Sequence, residues 1–376
     1  MDFTEDLDNF EPVARIVVIG VGGAGNNAVN RMIDDNIQNV EFYVCNTDKQ
    51  ALASSKCANR IVLGEELTEG LGAGGNPAVG KAAAEASSDK IKEIVKGAKM
   101  VFVAAGMGKG TGTGASPVIA KIAKESGALT LAIVTRPFNF ERKERIENSV
   151  QGLNALRDSV DALIIVSNDK LLMTSGNMPC NDAFGESDRV LAQSVRTVAD
   201  LILVPAMINL DFADVKSTLK DSGVALIGYG TGRGENKARE AAENAINNPL
   251  LEASISGAKR AICFVTCGSG VTLYEAQQCV NIVSEQCGGN VDMKFGVSIN
   301  PNLEDCLLLS VIAADFANEI DLSLPPKVIM PSSPKDFGKG VDQIRQKEIS
   351  KSEEENKDSL ISDILPDFLK GEDKSE

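Results

Sequence analysis

Short apolar runs recur through the first half of the chain, each closed by small or polar residues. Arg15–Gly20, Glu41–Val44, the run from Val101, Leu129–Val134 and Leu163–Val166 have strand length, too short for helices. Between them apolar residues fall at helical spacing. The run A-S-P-V-I-A-K-I-A-K-E predicts a helix opening near Ala115, with Pro117 in its first turn and Val118, Ile119, Ile122 and Ala123 facing inward. Strands alternating with helices predict an α/β fold: a parallel sheet covered on both faces, with site loops at the strands' C-terminal ends. A longer helical pattern spans Asn181–Val204, carrying Val190, Leu191, Ser194, Val195, Val198 and Leu201. Past Gly223 the pattern changes. Strands at Val224–Tyr229, Ala261–Thr266, Val291–Ile299 and Leu307–Ala313 enclose helices near Glu235–Asn247 and Leu273–Cys287, which predicts a smaller α+β domain with a mixed sheet.

The chain is expected to divide into a flexible arm over 1–12, a first domain over 13–180, and a central helix with an acidic loop over 181–222. The α+β domain covers 223–320. Residues 321–360, rich in Pro, Ser, Lys and Glu, have the composition of a disordered linker. Within 361–376 the apolar island Ile361–Lys370 cannot form a core and suits a docking peptide.

Three connections are rich in glycine. Gly20, Gly22 and Gly25 satisfy G-x-G-x-x-G between a strand and a helix. L-G-A-G-G-N-P follows at Leu71–Pro77, and G-M-G-K-G-T-G-T-G at Gly106–Gly114. Alternating glycines strip side chains from the last loop, so backbone N–H groups can close around an anion at a helix N-terminus. A tight turn alone needs one or two glycines; this loop is expected to hold phosphate. It is not a Walker A loop, because Gly110 follows Lys109 and Val103 stands where the first glycine belongs. The first fingerprint alone would also suit a dinucleotide oxidoreductase, with Asp48 on the ribose. Three such loops suit a triphosphate enclosed from several sides. Asp211 and Asp214, three residues apart before a helix, have the spacing of an N-cap or solvated turn.

Composition narrows the chemistry. A net charge of −15 argues against a nucleic-acid backbone as ligand, and the lack of Trp leaves few stacking platforms. With no histidine, imidazole bases, His-based triads and ordinary zinc sites are excluded. Eight cysteines without a C-x-x-C suggest free thiols in a reducing cytoplasm. No apolar run approaches 18 residues, so direct membrane insertion is not expected.

In chain order, G-V-G-G-A-G-N-N-A-V, F-Y-V-C-N-T-D, G-L-G-A-G-G-N-P, G-M-G-K-G-T-G-T-G, P-F-N-F-E, N-D-K-L-L, D-A-F and N-L-D-F-A-D-V resemble the FtsZ family, the tubulin-like GTPases of bacterial cell division. The resemblance runs from about Arg15 to Phe316, with a matching tail plan. It implies a tubulin-like fold: a GTP-binding domain with a Rossmann-like parallel sheet, a long central helix and an α+β C-terminal domain. It also implies GTP/GDP and Mg²⁺ as cofactors and head-to-tail protofilaments of a mid-cell cytokinetic ring.

Carried over by matching residues, Gly22, Gly23, Gly106, Gly108, Gly110, Thr111, Gly112, Thr113 and Gly114 would cradle the phosphates. Gly72, Ala73, Gly74 and Thr135 would also line the nucleotide, and Glu141 and Arg145 would meet its ribose and phosphate side. Asn26, Asn168 and Asp188 would bond the guanine, with Phe184 stacked on it. A carboxylate at Asp188 can accept from guanine N1–H and N2–H, a donor pair adenine lacks. Asn209, Asp211 and Asp214 would be catalytic toward the neighbouring subunit's nucleotide, the aspartates positioning Mg²⁺ and the attacking water. Ile361–Lys370 would bind a membrane-tethering division adaptor. Lys109, Arg142 after Glu141, and Ala314-Asp315 in place of Thr-Gly depart from the pattern. A polymerising scaffold with weak or no hydrolysis is the alternative.

Overall fold

The computed structural model of the chain describes residues 14–175, 180–204, 206–248, 251–317 and 320–322, with the backbone alone at 172–175 and 180–184. The arm over 1–12, the linker beyond 322 and the docking peptide lie outside the described residues.

Ten strands form one sheet: β1 (Ile16–Val21), β2 (Glu41–Asn46), β3 (Asn59–Val62), β4 (Met100–Gly106), β5 (Leu129–Arg136), β6 (Ala162–Ser167), β7 (Gly223–Arg233), β8 (Ala258–Cys267), β9 (Asp292–Ile299) and β10 (Cys306–Phe316). Their order is β3-β2-β1-β4-β5-β6-β7-β10-β8-β9. β1 to β6 are parallel throughout. β7 changes partner midway: Gly223–Ala225 pair with β6 in parallel, and Leu226–Arg233 pair with β10 in antiparallel. β10 runs antiparallel to β8, and β8 parallel to β9. β1, β5 and β6 are buried along their whole length, so both faces must be apolar.

The helices are α1 (Gly22–Asp34), α2 (Lys49–Ala53), α3 (Glu65–Thr68), α4 (Pro77–Ala86), α5 (Ser88–Val95), α6 (Gly110–Glu125), α7 (Lys143–Arg157), α8 (Asn168–Ser175), α9 (Cys180–Leu203), α10 (Phe212–Leu219), α11 (Lys237–Ile246) and α12 (Leu273–Cys287). One core joins Val29 and Met32 of α1, Val195 and Val198 of α9 and Leu219 of α10 to Phe102 and Ile133 of the sheet. The same core takes in Tyr229, Phe264 and Ile312, so α9 packs under both halves of the sheet. On the opposite face Ala83, Ile91, Ile119 and Leu153 bring in α4, α5, α6 and α7. A third core lies between α11, α12 and the far strands, with Cys263, Cys279 and Cys287 inside it.

One expectation needs correction. α6 opens at Gly110, not near Ala115, and Pro117 lies inside it. Glycine is a poor helix former, but here its missing side chain is what the packing requires. A Cβ on Gly114 would stand 1.9 Å from the Pro77 carbonyl oxygen, and one on Gly112 2.4 Å from that of Gly106. Tertiary contact outweighs propensity, and Pro117 removes one N–H from the helix ladder.

Candidate functional site

The three glycine loops meet at the C-terminal edge of the parallel strands. Gly22 has φ +71, and a Cβ there would lie 3.0 Å from the Gly112 nitrogen. A Cβ on Gly25 would lie 2.2 Å from Ala104 O, one on Gly106 2.7 Å from Ala24 Cβ, and one on Gly110 2.7 Å from Ala73 Cβ. These glycines interlock the loops. Gly23, Gly74 and Gly75 have no neighbouring atom within 4 Å of such a Cβ, so they leave space open. The N-termini of α1 and α6 come together here, and their first-turn N–H groups lack helical partners. Paired positive helix ends beside open glycines favour a polyanion.

Hydroxyls brace the loops. Thr111 Oγ1 and Thr47 Oγ1 are 2.7 Å apart, and Gly108 N donates to Thr113 Oγ1 at 2.8 Å. Gly72 N donates to Thr47 O at 3.1 Å, and Met107 N to the buried Thr135's carbonyl at 2.9 Å. Thr47 thus ties the loop after β2 to the second and third glycine loops. In the sequence Thr47 is marked only by its place in F-Y-V-C-N-T-D, at the buried end of a strand. Gly108 has φ +103, and Lys109 occupies the N-cap of α6 with its side chain exposed.

Asn26 is buried. With its amide nitrogen toward the loop, it donates to Gly22 O at 2.9 Å and Gly20 O at 3.1 Å and accepts from Asn46 Nδ2 at 3.2 Å. Both amide hydrogens are therefore spent on the first loop. Asn168 opens α8 and accepts from Ser187 Oγ at 2.8 Å. Asp188 follows on α9; burial pushes its carboxyl up to about 7, and a hydrogen bond from Asn27 partly offsets this. Asn168, Asp188 and the glycine loops thus share one edge. The side chain of Phe184 lies outside the described residues.

Glu141 and Arg145 form an ion pair, and Phe138 N donates to Glu141 Oε1 at 3.1 Å. Asp169, whose carboxyl burial pushes up, accepts from Asn139 N at 2.9 Å, tying this loop to α8. Asp48, the ribose acid of the dinucleotide reading, instead caps α2, accepting from Gln50 N at 2.8 Å and Ala51 N at 3.3 Å.

The acidic loop stands at the other edge. α9 has 24 residues, a span of about 36 Å; Asp188 lies near its start and the loop beyond its end. The loop is fixed to β9, with Met207 N and Ile208 N donating to Val297 O at 2.8 and 3.1 Å, and with Leu210 buried. Asp211 Oδ1 accepts from Asp214 N at 2.7 Å and Asp214 Oδ2 from Asp211 N at 3.3 Å, a reciprocal capping box. The cap that the spacing suggested is real, and each carboxylate keeps lone pairs. Asn209 is exposed beside them. Among the described residues no cluster of three or more ligating side chains could hold a metal alone. Two carboxylates suit Mg²⁺ only where phosphate oxygens and water complete the shell.

Comparison with known proteins agrees with this geometry. A family model described as the Tubulin/FtsZ family, GTPase domain, matches residues 15–176, and one for the FtsZ family, C-terminal domain, matches 223–317. An empty FtsZ dimer from M. jannaschii is 39% identical over 85% of this chain and 95% of its own, with TM-score 0.77. A point mutant of that FtsZ is 40% identical over 81% and 91%, with TM-score 0.76. CetZ2 from Haloferax volcanii, a GTPγS-bound protofilament, is 19% identical over 89% and 100%, with TM-score 0.67, which shows the fold alone. Glycine loops on the parallel half of one sheet, with a long helix packed under both that half and the mixed half, define a tubulin-like GTPase fold. The chain belongs to the FtsZ family. No helix among the described residues is long and apolar enough to cross a membrane.

Proposed function

We propose that this chain is a cytoplasmic GTPase that self-assembles head to tail into filaments of a mid-cell division ring, each copy's acidic loop completing the next copy's nucleotide site. The observation that carries this reading is the separation of the two half-sites. Glycine loops and acidic loop lie at opposite edges, so one chain cannot bring both to one nucleotide. Exposed apolar side chains mark both edges: Leu71 and Phe140 beside the glycine loops, Met207 and Ile299 beside the acidic loop. An FtsZ relative forms a dimer and a CetZ protein a protofilament, which supports self-association.

In this reading the N–H groups of α1 and α6 hold the phosphates, with Gly23, Gly74 and Gly75 leaving room. Asp188 accepts from guanine, Asn168 assists it, and Asn26 shapes the first loop. Glu141 and Arg145 flank the ribose side. Mg²⁺, when bound, would be held through phosphate oxygens near Asp211 and Asp214 and would neutralise phosphate charge. Asp211, Asp214 and Asn209 orient the attacking water; positioning and charge suffice for phosphoryl transfer, so the absence of histidine is no obstacle. Ile361–Lys370 docks on a membrane-tethering adaptor, so deleting 361–376 should spare turnover and abolish recruitment to adaptor-coated membranes.

The test is turnover against protein concentration. Specific activity should rise with concentration, and Asp211→Asn, which keeps a capping oxygen, should cut hydrolysis about 100-fold or more while the monomer still binds GTP. A constant rate per molecule down to high dilution would show a site complete within one chain. A slow rate at every concentration, with filaments still formed, would favour the scaffold.

A further inference from the structure

Helix α10 has only 8 residues, too few to persist in water unaided. The acidic pair sits at its N-terminus, and cations from other elements hold its exit. Arg260 of β8 donates from Nη1 to the carbonyls of Ser217 at 2.7 Å and Lys220 at 3.2 Å. These are acceptors that a helix end leaves unpaired. Arg260 Nε also donates to Asp315 Oδ2 at 3.1 Å, and Lys259 Nζ lies 3.7 Å from Asp315 Oδ1. Asp315 has φ +56, a left-handed conformation that favours glycine. It follows Ala314, the residue paired with Arg260 across β8 and β10.

Helix α6 and the turn before β6 grip the same exit. Lys124 of α6 donates to Val160 O at 2.9 Å and Asp221 Oδ1 at 2.7 Å, with Asp161 Oδ1 at 3.3 Å. Asp221 is left-handed too, with φ +50, and Ser222 N donates to Asp161 O at 2.8 Å. Two left-handed aspartates, each held by a cation bound to one short turn, are more than connection alone requires. Such strain persists only where the surroundings over-determine it.

Geometry gives the mounting a consequence. α10 is about 12 Å long, so a tilt of about 5° about its exit moves the acidic pair by about 1 Å. A 1 Å misplacement costs about 100-fold where positioning is the catalysis. We propose that Arg260 and Asp315 are a positioning pair for hydrolysis, fixing the angle at which α10 presents Asp211 and Asp214 to the neighbouring copy's nucleotide. This rests on the reading that the acidic loop completes that neighbouring site.

The experiment uses the full chain and measures GTP turnover per assembled subunit, critical concentration and monomer GTP affinity. Arg260→Ala should lower turnover about tenfold or more while the other two quantities stay within about twofold. Asp315→Gly, which suits the left-handed backbone and keeps the test open if Arg260→Ala does not fold, should lower turnover about threefold. The double variant should be no slower than Arg260→Ala, because both act through one contact. Asp211→Asn is the control: if it hydrolyses normally, the reading of the acidic loop fails. If it is slow while Arg260→Ala and Asp315→Gly keep the wild-type rate, the positioning pair alone is overturned. A critical concentration that rises in step with lost turnover would make the pair merely structural and overturn it equally.

Discussion

The two edges of the parallel sheet are built on opposite plans. At the nucleotide edge nearly everything is backbone: glycines packed against carbonyls, helix N–H groups, and hydroxyls that brace loops. At the acidic edge nearly everything is side chain: a capping box, Lys124 between Asp161 and Asp221, Arg260 between α10 and Asp315. A polyphosphate is large and multiply charged, and many fixed N–H groups suit it without any one of them being decisive. Orienting one water, the role proposed for the acidic loop, would need few groups held at a set angle, and a short helix anchored at its exit by paired cations suits that. The first edge should therefore be sensitive to added volume, the second to removed charge.

The largest effect should come from volume. Gly114→Ala places a Cβ 1.9 Å from Pro77 O and 2.7 Å from Lys81 N, backbone atoms that cannot swing aside. Overpacking of this kind costs about 1–3 kcal/mol or more, and separating α4 from α6 also disturbs the cradle. Thermal unfolding should drop by several degrees, and GTP affinity should fall with it. Gly23→Ala is the sharpening partner. Nothing surrounds its Cβ, and Ala in a helix is favoured over Gly by about 1 kcal/mol. It should unfold at the wild-type temperature or higher and yet bind GTP more weakly. Unchanged GTP affinity in Gly23→Ala would show that the open space is not where phosphate sits.

An intermediate effect should follow pH. Burial raises Asp188 to about 7 from an ordinary 3.8, so in the free protein the group holds its proton below neutrality. In the proposed site guanine would need the carboxylate as acceptor, so binding would have to expel that proton. Between pH 8 and pH 6 affinity should fall about tenfold, following the ionised fraction. The same shift makes ligand-free stability fall as pH rises from about 4 to about 7. Asp188→Asn should bind more weakly and flatten both dependences. Titrations of GTP against both proteins at several pH values decide it; parallel curves would remove Asp188 from base recognition.

Much of this architecture was visible in the residues. The buried strands announced themselves as continuous apolar runs, and Asn181–Val204 matches α9 within one residue at each end. What stayed hidden is what neighbours impose. Between Lys49 and Val95 lie α2 to α5 and β3, short elements held by contacts such as that of Gly80 with Gly110 O, where an added Cβ would approach to 2.4 Å. A helix beginning G-T-G-T-G contradicts local propensity, so its start could not be seen. The exchange of partners along β7 leaves no trace, since the strand is buried from Val224 to Gly230 and a continuous apolar run reads alike for both pairings. The convergence of the glycine loops was legible because glycine has few other uses at that density. That Asn26 serves its own loop was not, because an amide's partners are a matter of geometry.

The smallest effect tests whether the acidic edge reaches across to the nucleotide edge. Lys109 is exposed at the N-cap of α6, within the glycine loop, and pairs with no carboxylate among the described residues. In the head-to-tail arrangement proposed above, the next copy's Asp211 and Asp214 would face this loop, and an ammonium between phosphate and two carboxylates would be drawn to both. Partial desolvation strengthens such contacts beyond the ~0–1 kcal/mol of an open surface pair. Lys109→Gly should raise the critical concentration for assembly about two- to fivefold at low salt, an effect that shrinks as salt screens the charges. Because glycine also loosens the backbone, Lys109→Gln serves as the charge-only control and should behave alike. Equal critical concentrations at low salt would leave the side chain solvated, without a role in the contact. A matching loss of monomer GTP affinity would turn it inward to its own phosphate, and the two edges would then not communicate through this residue.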